Sequence, residues 1–238
     1  MTASLGRRAT AEATGTAFLV AVVVGSGIFA EQLSPGDVGL QLLESSLATA
    51  GGLVALILAF GSVSGAHLNP VVSLADRCFG GLTTRELLAY VPAQVGGACV
   101  GAVVANLMFD LDWVTLSTHE RSSSGLWLGE VVATFGLLLV ILGVVRAGRA
   151  DAAPFAVAGY IAAAYWFTSS TSFANPAVTV GRTLSDTFAG IEPASAPAFI
   201  GAQLVGGAGA VALARYLFPE AEPVDLIVPH DHDRPEAA

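Results

Sequence analysis

Ser64-Gly65-Ala66-His67-Leu68-Asn69-Pro70-Val71 decides the reading of this chain, and Thr171-Ser172-Phe173-Ala174-Asn175-Pro176-Ala177 echoes it about a hundred residues on. Each stretch carries Asn-Pro after an apolar window. Proline suits the first position of a helix because it has no amide to leave unpaired there. Asparagine is a strong N-cap, its side-chain oxygen accepting from the first turn. Asn69-Pro70 and Asn175-Pro176 therefore predict two short helices that begin within apolar sequence. A pair of ordinary turns is the alternative, and it leaves two mid-length breaks without a reason.

Working outward, six long apolar windows flank these boxes: Ala13–Ala30, Leu42–Phe60, Leu87–Leu107, Leu126–Val145, Phe155–Thr168 and Ala198–Phe218. Most approach the ~20 residues that a helix needs to cross a bilayer core. Ser64–Ala75 and Ser172–Gly181 are too short to do so. Composition agrees: of 238 residues 54% are hydrophobic and 12% charged, against about 25% charged in soluble domains. That hydrophobicity excludes a disordered chain, and a net charge of −9 argues against a nucleic-acid binder. The predicted class is an all-α membrane protein with six spans and two half-helices.

The chain has no lysine, so its ten arginines carry the orientation signal. With the N-terminus inside, Arg7, Arg8, Arg77, Arg85, Arg146, Arg149, Arg215 and Arg234 fall on the cytoplasmic side, and Arg121 and Arg182 outside. The positive-inside rule thus predicts both termini in the cytoplasm. Glu12 interrupts the flank of the first window and no A-x-A site follows Ala30, which favours a span over a signal peptide. Residues 219–238 read as a disordered acidic tail, whose His230-Asp231-His232-Asp233 run reads as solvated rather than metal-binding. Cys78 and Cys99 read as small apolar filler.

The halves repeat. Glu12-x-x-x-Thr16 matches Glu130-x-x-x-Thr134, and Ala93-Gln94-x-x-Gly97 matches Ala202-Gln203-x-x-Gly206, in the same order around the Asn-Pro boxes. Three spans per half invert the second copy, an arrangement in which transport sites form at the repeat interface. The predicted layout is a short N-terminal segment over 1–9, a channel domain over 10–218 with repeats near 10–107 and 125–218, and the tail.

Two half-helices meeting at mid-membrane would present positive ends, each equivalent to roughly half an elementary charge. Such a centre repels cations and turns water by its oxygen, obstructing a proton wire. Glu12 and Glu130 are either proton-relay carboxylates or acceptors for the irregular backbone before each Asn-Pro; their symmetry favours the second role. His67, with no carboxylate or cysteine near it in sequence, reads as pore-lining or as a satisfied buried residue. No acid, base and nucleophile converge, no metal-ligand or cofactor pattern occurs, and no phosphate-binding loop is present.

On these motifs the chain resembles the aquaporin and aquaglyceroporin (major intrinsic protein) family over residues 10 to 218. The resemblance implies six transmembrane helices, two half-helices, one pore per protomer and a homotetramer in the cell membrane. It also implies a central site at Asn69, Pro70, Val71, Asn175, Pro176 and Ala177, with Val71 standing where the family usually has Ala. A second narrowing toward the outer mouth carries over by distance from the two asparagines to Thr49, Ala163, Ser172 and Val178. Val178 is the main departure, since nearly all relatives have Arg there.

Four such side chains, none aromatic and none charged, predict a wide constriction. Arg182, four residues beyond Val178, either supplies a cationic outer vestibule or snorkels toward headgroups. Among relatives the pattern looks most like bacterial aquaglyceroporin-like channels associated with arsenic resistance. The expected function is passive diffusion of water and small uncharged solutes, glycerol-like polyols and neutral metalloids such as arsenite. A strict water channel is the near alternative, and an ion-coupled transporter a remoter one.

Overall fold

The computed structural model describes residues 3–218. The tail, with Arg234 and the His230–Asp233 run, lies outside the described residues. Among those described are eight α-helices: α1 (Leu5–Leu33), α2 (Val38–Ser64), α3 (Pro70–Phe79), α4 (Thr84–Met108), α5 (Ser124–Arg146), α6 (Ala153–Phe167), α7 (Pro176–Arg182) and α8 (Ala196–Leu217). Most begin at a side chain that satisfies their first free amides. Ser4 accepts from Arg7 N, Asp37 from Leu40 N and Ser123 from Leu126 N, while Thr83 and Glu86 form a reciprocal capping box. Gly65 and Gly80 end α2 and α3 in the left-handed conformation that glycine adopts without strain.

Five helices are long and apolar enough to cross a membrane: α1, α2, α4, α5 and α8. The sixth expected span is shorter. α6 has 15 residues and covers only about 23 Å at 1.5 Å per residue. A 3-10 turn at Ala150–Ala152 precedes it and irregular backbone follows it. Non-helical backbone at such depth is tolerated when protein surrounds it, and Ser170, Ser172, Phe173 and Ala174 are all buried.

The packing follows the repeat. α1 packs on α2 and α4 as α5 packs on α6 and α8. The halves join through α2 against α6, through α3 on α8 and through α7 on α4, so each half-helix rests on the last helix of the other half. The glycines of the repeated motif set the closest approach. A Cβ on Gly97 would run into the Ala13 carbonyl, and one on Gly206 into the Val131 carbonyl. Ala13 and Val131 each follow the glutamate of their own half, so the two motifs of a half meet face to face.

Arginines gather at one end of the bundle. Arg8 pairs with Glu86, Arg77 donates to Thr84, and Arg215 donates to the Cys78 carbonyl. Arg146 and Arg215 each lie 5.6 Å from the Phe79 ring. Cys78 is exposed and Cys99 half-buried, and both are free thiols.

Candidate functional site

The first turns of α3 and α7 abut at the centre of the bundle. Asn69 Oδ1 accepts from Val71 N, and Asn175 Oδ1 accepts from Ala177 N and Val178 N, so each asparagine caps its own half-helix. Their amides cross over. Asn69 Nδ2 donates to the Ala174 carbonyl at 2.8 Å, and Asn175 Nδ2 to the Leu68 carbonyl at 2.7 Å. An amide NH₂ has two hydrogens, so each keeps one for the cavity that both residues line. Pro70 and Pro176 occupy first helical positions, where no donor is lost.

The loops entering the half-helices are held in unusual backbone. Ala66, Leu68, Ser172 and Ala174 have φ between 47° and 54°, a region costly for residues with a Cβ. Glu12 and Glu130 hold them there. Glu12 Oε1 accepts from Ser64 Oγ and His67 N, and Oε2 from Leu68 N and Gln94 Nε2, at 2.6–3.0 Å. Glu130 accepts from Phe173 N, Ala174 N and Gln203 Nε2 at 2.6–2.9 Å. Of the two roles left open for these carboxylates, the geometry supplies the structural one. It also gives the repeated glutamine a role that the motif alone did not. Gln94 bridges Glu12 to Ser73 and Gln203 bridges Glu130 to Thr179, each hydroxyl lying four residues past its asparagine.

The cavity through the bundle has a volume of about 60 Å³, enough for a short file of waters at roughly 10–15 Å³ each. Its wall repeats as well: Leu19 and Val23 of α1 match Leu137 and Ile141 of α5, and Thr49, Leu53 and Ile57 of α2 face it beside Val157, Ile161 and Tyr165 of α6. His67 lines it too, with Nδ1 3.1 Å from Ser73 Oγ and Nε2 3.8 Å from Asp76 Oδ2. Val71 does not line it. Val71 packs on Gly207 of α8, whose missing side chain makes room for a residue larger than the usual alanine. Ala177 is fully buried.

Of the four residues expected at the outer narrowing, Thr49, Ser172 and Val178 line the cavity and Ala163 does not. Ala163 lies on the exposed face of α6. The residues that face inward there are Val157, Ile161 and Tyr165, spaced by four, and Ala163 falls two positions off that line. Tyr165 lines the cavity instead, its hydroxyl 3.1 Å from Thr49 Oγ1. Counting back from Asn175 at the family's usual interval missed it; the four-residue phase of bulky side chains on α6 would have found it.

Arg182 also lines the cavity. It does not snorkel: it is 4% exposed, donates through Nε to the Ala189 carbonyl, and stacks on Phe173 with its guanidinium carbon 3.4 Å from the ring centroid. The cavity therefore carries the Tyr165 ring where Ala163 was expected and, one turn beyond Val178, a cation; of the two roles left open for Arg182, its burial beside the cavity fits the vestibule rather than the headgroups.

Residues 1–171 match the profile of the family described as Major intrinsic protein. An aquaglyceroporin of Rhizobium meliloti is 49% identical over 220 residues, covering 92% of this chain and 94% of its own. A probable aquaporin of Archaeoglobus fulgidus is 29% identical over 248 residues, covering 92% of this chain and all of its own. Among solved structures, the aquaglyceroporin of Plasmodium falciparum superposes with a TM-score of 0.63 at 21% identity over 92% of this chain and 97% of that one, a likeness of fold. Paired asparagine-capped half-helices, a glutamate brace under each and a continuous profile match lead to one conclusion: this multi-pass membrane chain belongs to the major intrinsic protein family, a family of channels rather than enzymes.

Proposed function

We propose that the chain is a passive membrane channel for water and small uncharged solutes, with glycerol-like polyols and neutral hydroxylated metalloids such as arsenite as the larger cargo. The observation that carries this reading is the lining of the cavity. Apolar Val178 lines it together with Thr49, Tyr165 and Ser172, so the wall offers a carbon surface together with several hydrogen-bonding oxygens. A polyol presents the same two faces, and small-molecule sites commonly combine an apolar wall with a few placed polar groups. Farther in, the free hydrogens of Asn69 and Asn175 donate to a passing oxygen at the positive ends of two half-helices.

The orientation we favour puts both termini in the cytoplasm, because Arg8, Arg77, Arg146 and Arg215 cluster at one end and Arg121 and Arg182 at the other. The cell membrane is the proposed location and a homotetramer the proposed assembly, each protomer carrying its own pore. An ion-coupled transporter would need a carboxylate in the solute path, whereas both oxygens of Glu12 and of Glu130 are engaged by backbone and side-chain donors.

Proteoliposomes test the reading. Water, glycerol, urea and arsenite uptake in one preparation should all exceed that of empty vesicles and be indifferent to proton or sodium gradients. Fast water flow with glycerol and arsenite excluded would make it a strict water channel, and flux that stalls without an ion gradient would make it a transporter.

A further inference from the structure

Arg182 and Arg121 form a feature that passage of neutral solutes does not require. Arg121, from the segment between α4 and α5, is 9% exposed and donates to the carbonyls of Gly190 and Phe188 at 2.8 and 3.4 Å. Arg182 takes the Ala189 carbonyl between them. Three consecutive carbonyls thus hold two guanidinium groups against one ring, Phe173, with Arg121 at 5.1 Å from its centroid and Arg182 at 3.4 Å. Among the described residues neither arginine forms an ion pair with a carboxylate. Glu130, in the same half, has both oxygens committed to Phe173 N, Ala174 N and Gln203.

Glu130 is within electrostatic reach of both arginines, but one carboxylate leaves one of the two positive charges unbalanced, a costly state away from water, and carbonyl dipoles with a π face offset only part of that cost. Arg182 faces the cavity, so the missing partner can arrive there. Ser172 lines the same cavity and is 3% exposed, and its hydroxyl has no hydrogen-bond partner among the described residues. Arg182 stacks on Phe173, the residue after Ser172, and a guanidinium and a free hydroxyl that line one cavity match an oxyanion, with charge-assisted bonds from the first and a single donor from the second. Among the described residues no carboxylate lines the cavity to repel such a ligand. Beyond the site the wall is mostly aliphatic, including Leu19, Leu53, Ile57 and Val157, and offers little to replace an anion's hydration.

We propose that Arg182 and Ser172 form, just outside the Val178 constriction, a binding site for small monovalent oxyanions, and that an anion held there blocks the path of neutral solutes. Binding stands on the two residues alone, while the block rests on the channel reading above. Sodium methanesulfonate is the probe, since it stays ionised, with sodium chloride at equal ionic strength as the control. Calorimetric titration of the solubilised protein should show saturable methanesulfonate binding. That binding should weaken about tenfold or more in Arg182→Gln, because a charge-assisted bond is lost, and several-fold in Ser172→Ala.

In proteoliposomes methanesulfonate should slow glycerol entry through the wild type and not through Arg182→Gln. Arg182 also anchors the Ala189 carbonyl, so Arg182→Lys, which keeps the charge, and Ser172→Ala decide the matter if Arg182→Gln does not fold. The proposal is overturned if wild-type protein fails to bind methanesulfonate, or binds it as tightly in Ser172→Ala and Arg182→Lys. Binding without slowed glycerol entry overturns the block. Saturable binding by a protein that passes no glycerol at all would sink the polyol reading and leave the anion site standing.

Discussion

Replacing Glu12 with alanine removes, in one step, the acceptor of four hydrogen bonds: Ser64 Oγ, His67 N, Leu68 N and Gln94 Nε2. Glu12 has no solvent exposure, so water cannot easily substitute. The Ser64 hydroxyl can turn to another acceptor, but the two backbone amides cannot. An orphaned buried donor costs about 1–3 kcal/mol, which puts the loss for His67 N and Leu68 N at roughly 2–6 kcal/mol. The brace also holds Ala66 and Leu68 at φ 47° and 49°, and once it is gone that strain, about 1–2 kcal/mol per residue, favours relaxation of the loop. Relaxation would swing Asn69 away from the Ala174 carbonyl and uncouple the two half-helices.

The assay is paired. Thermal unfolding of solubilised protein should show the apparent midpoint lowered by about 5–20 °C, taking 2–4 °C per kcal/mol for a chain of this size. Glycerol uptake per folded protein should fall as well. Glu12→Gln should lie between, because its carbonyl oxygen still accepts while its NH₂ faces donors. Wild-type melting and uptake in Glu12→Ala would refute the bracing argument. Wild-type melting together with loss of a pH dependence of uptake that the wild type shows would return the residue to a proton-relay role.

Val178→Arg should narrow the proposed constriction and cut glycerol and arsenite uptake more than water flow, as read by stopped-flow light scattering; glycerol and arsenite uptake unchanged from wild type would show that Val178 is not at the narrowing. Tyr165→Trp should impede every solute while Ala163→Trp leaves uptake unchanged, since only Tyr165 faces the cavity; the reverse result would return the filter position to Ala163. Gly206→Val places a branched side chain against the Val131 carbonyl, and overpacking of this kind costs about 1–3 kcal/mol; a loss of monodisperse protein in size-exclusion chromatography checks it. Gly207→Leu should conflict with Val71, and shortening the partner in Gly207→Leu/Val71→Ala should recover part of the lost yield.

The sequence by itself determined the membrane class, the repeat, the half-helices and the residues at their tips, because each rests on local chemistry. Apolar length, an Asn cap before Pro and recurrence of short motifs are readable without knowing what lies across the bundle. Glu12 and Glu130 were legible as a pair for the same reason, although their four and three donors were not. Tertiary structure alone decided which face of α6 looks inward. A two-residue difference in position turns a helical side chain through roughly 200°, so Tyr165 rather than Ala163 lines the cavity. It also decided that Arg182 lies buried over Phe173 rather than reaching for headgroups. That outcome depends on the carbonyl of Ala189 arriving from a loop beyond α7, and no spacing in the sequence states where a loop will fold back.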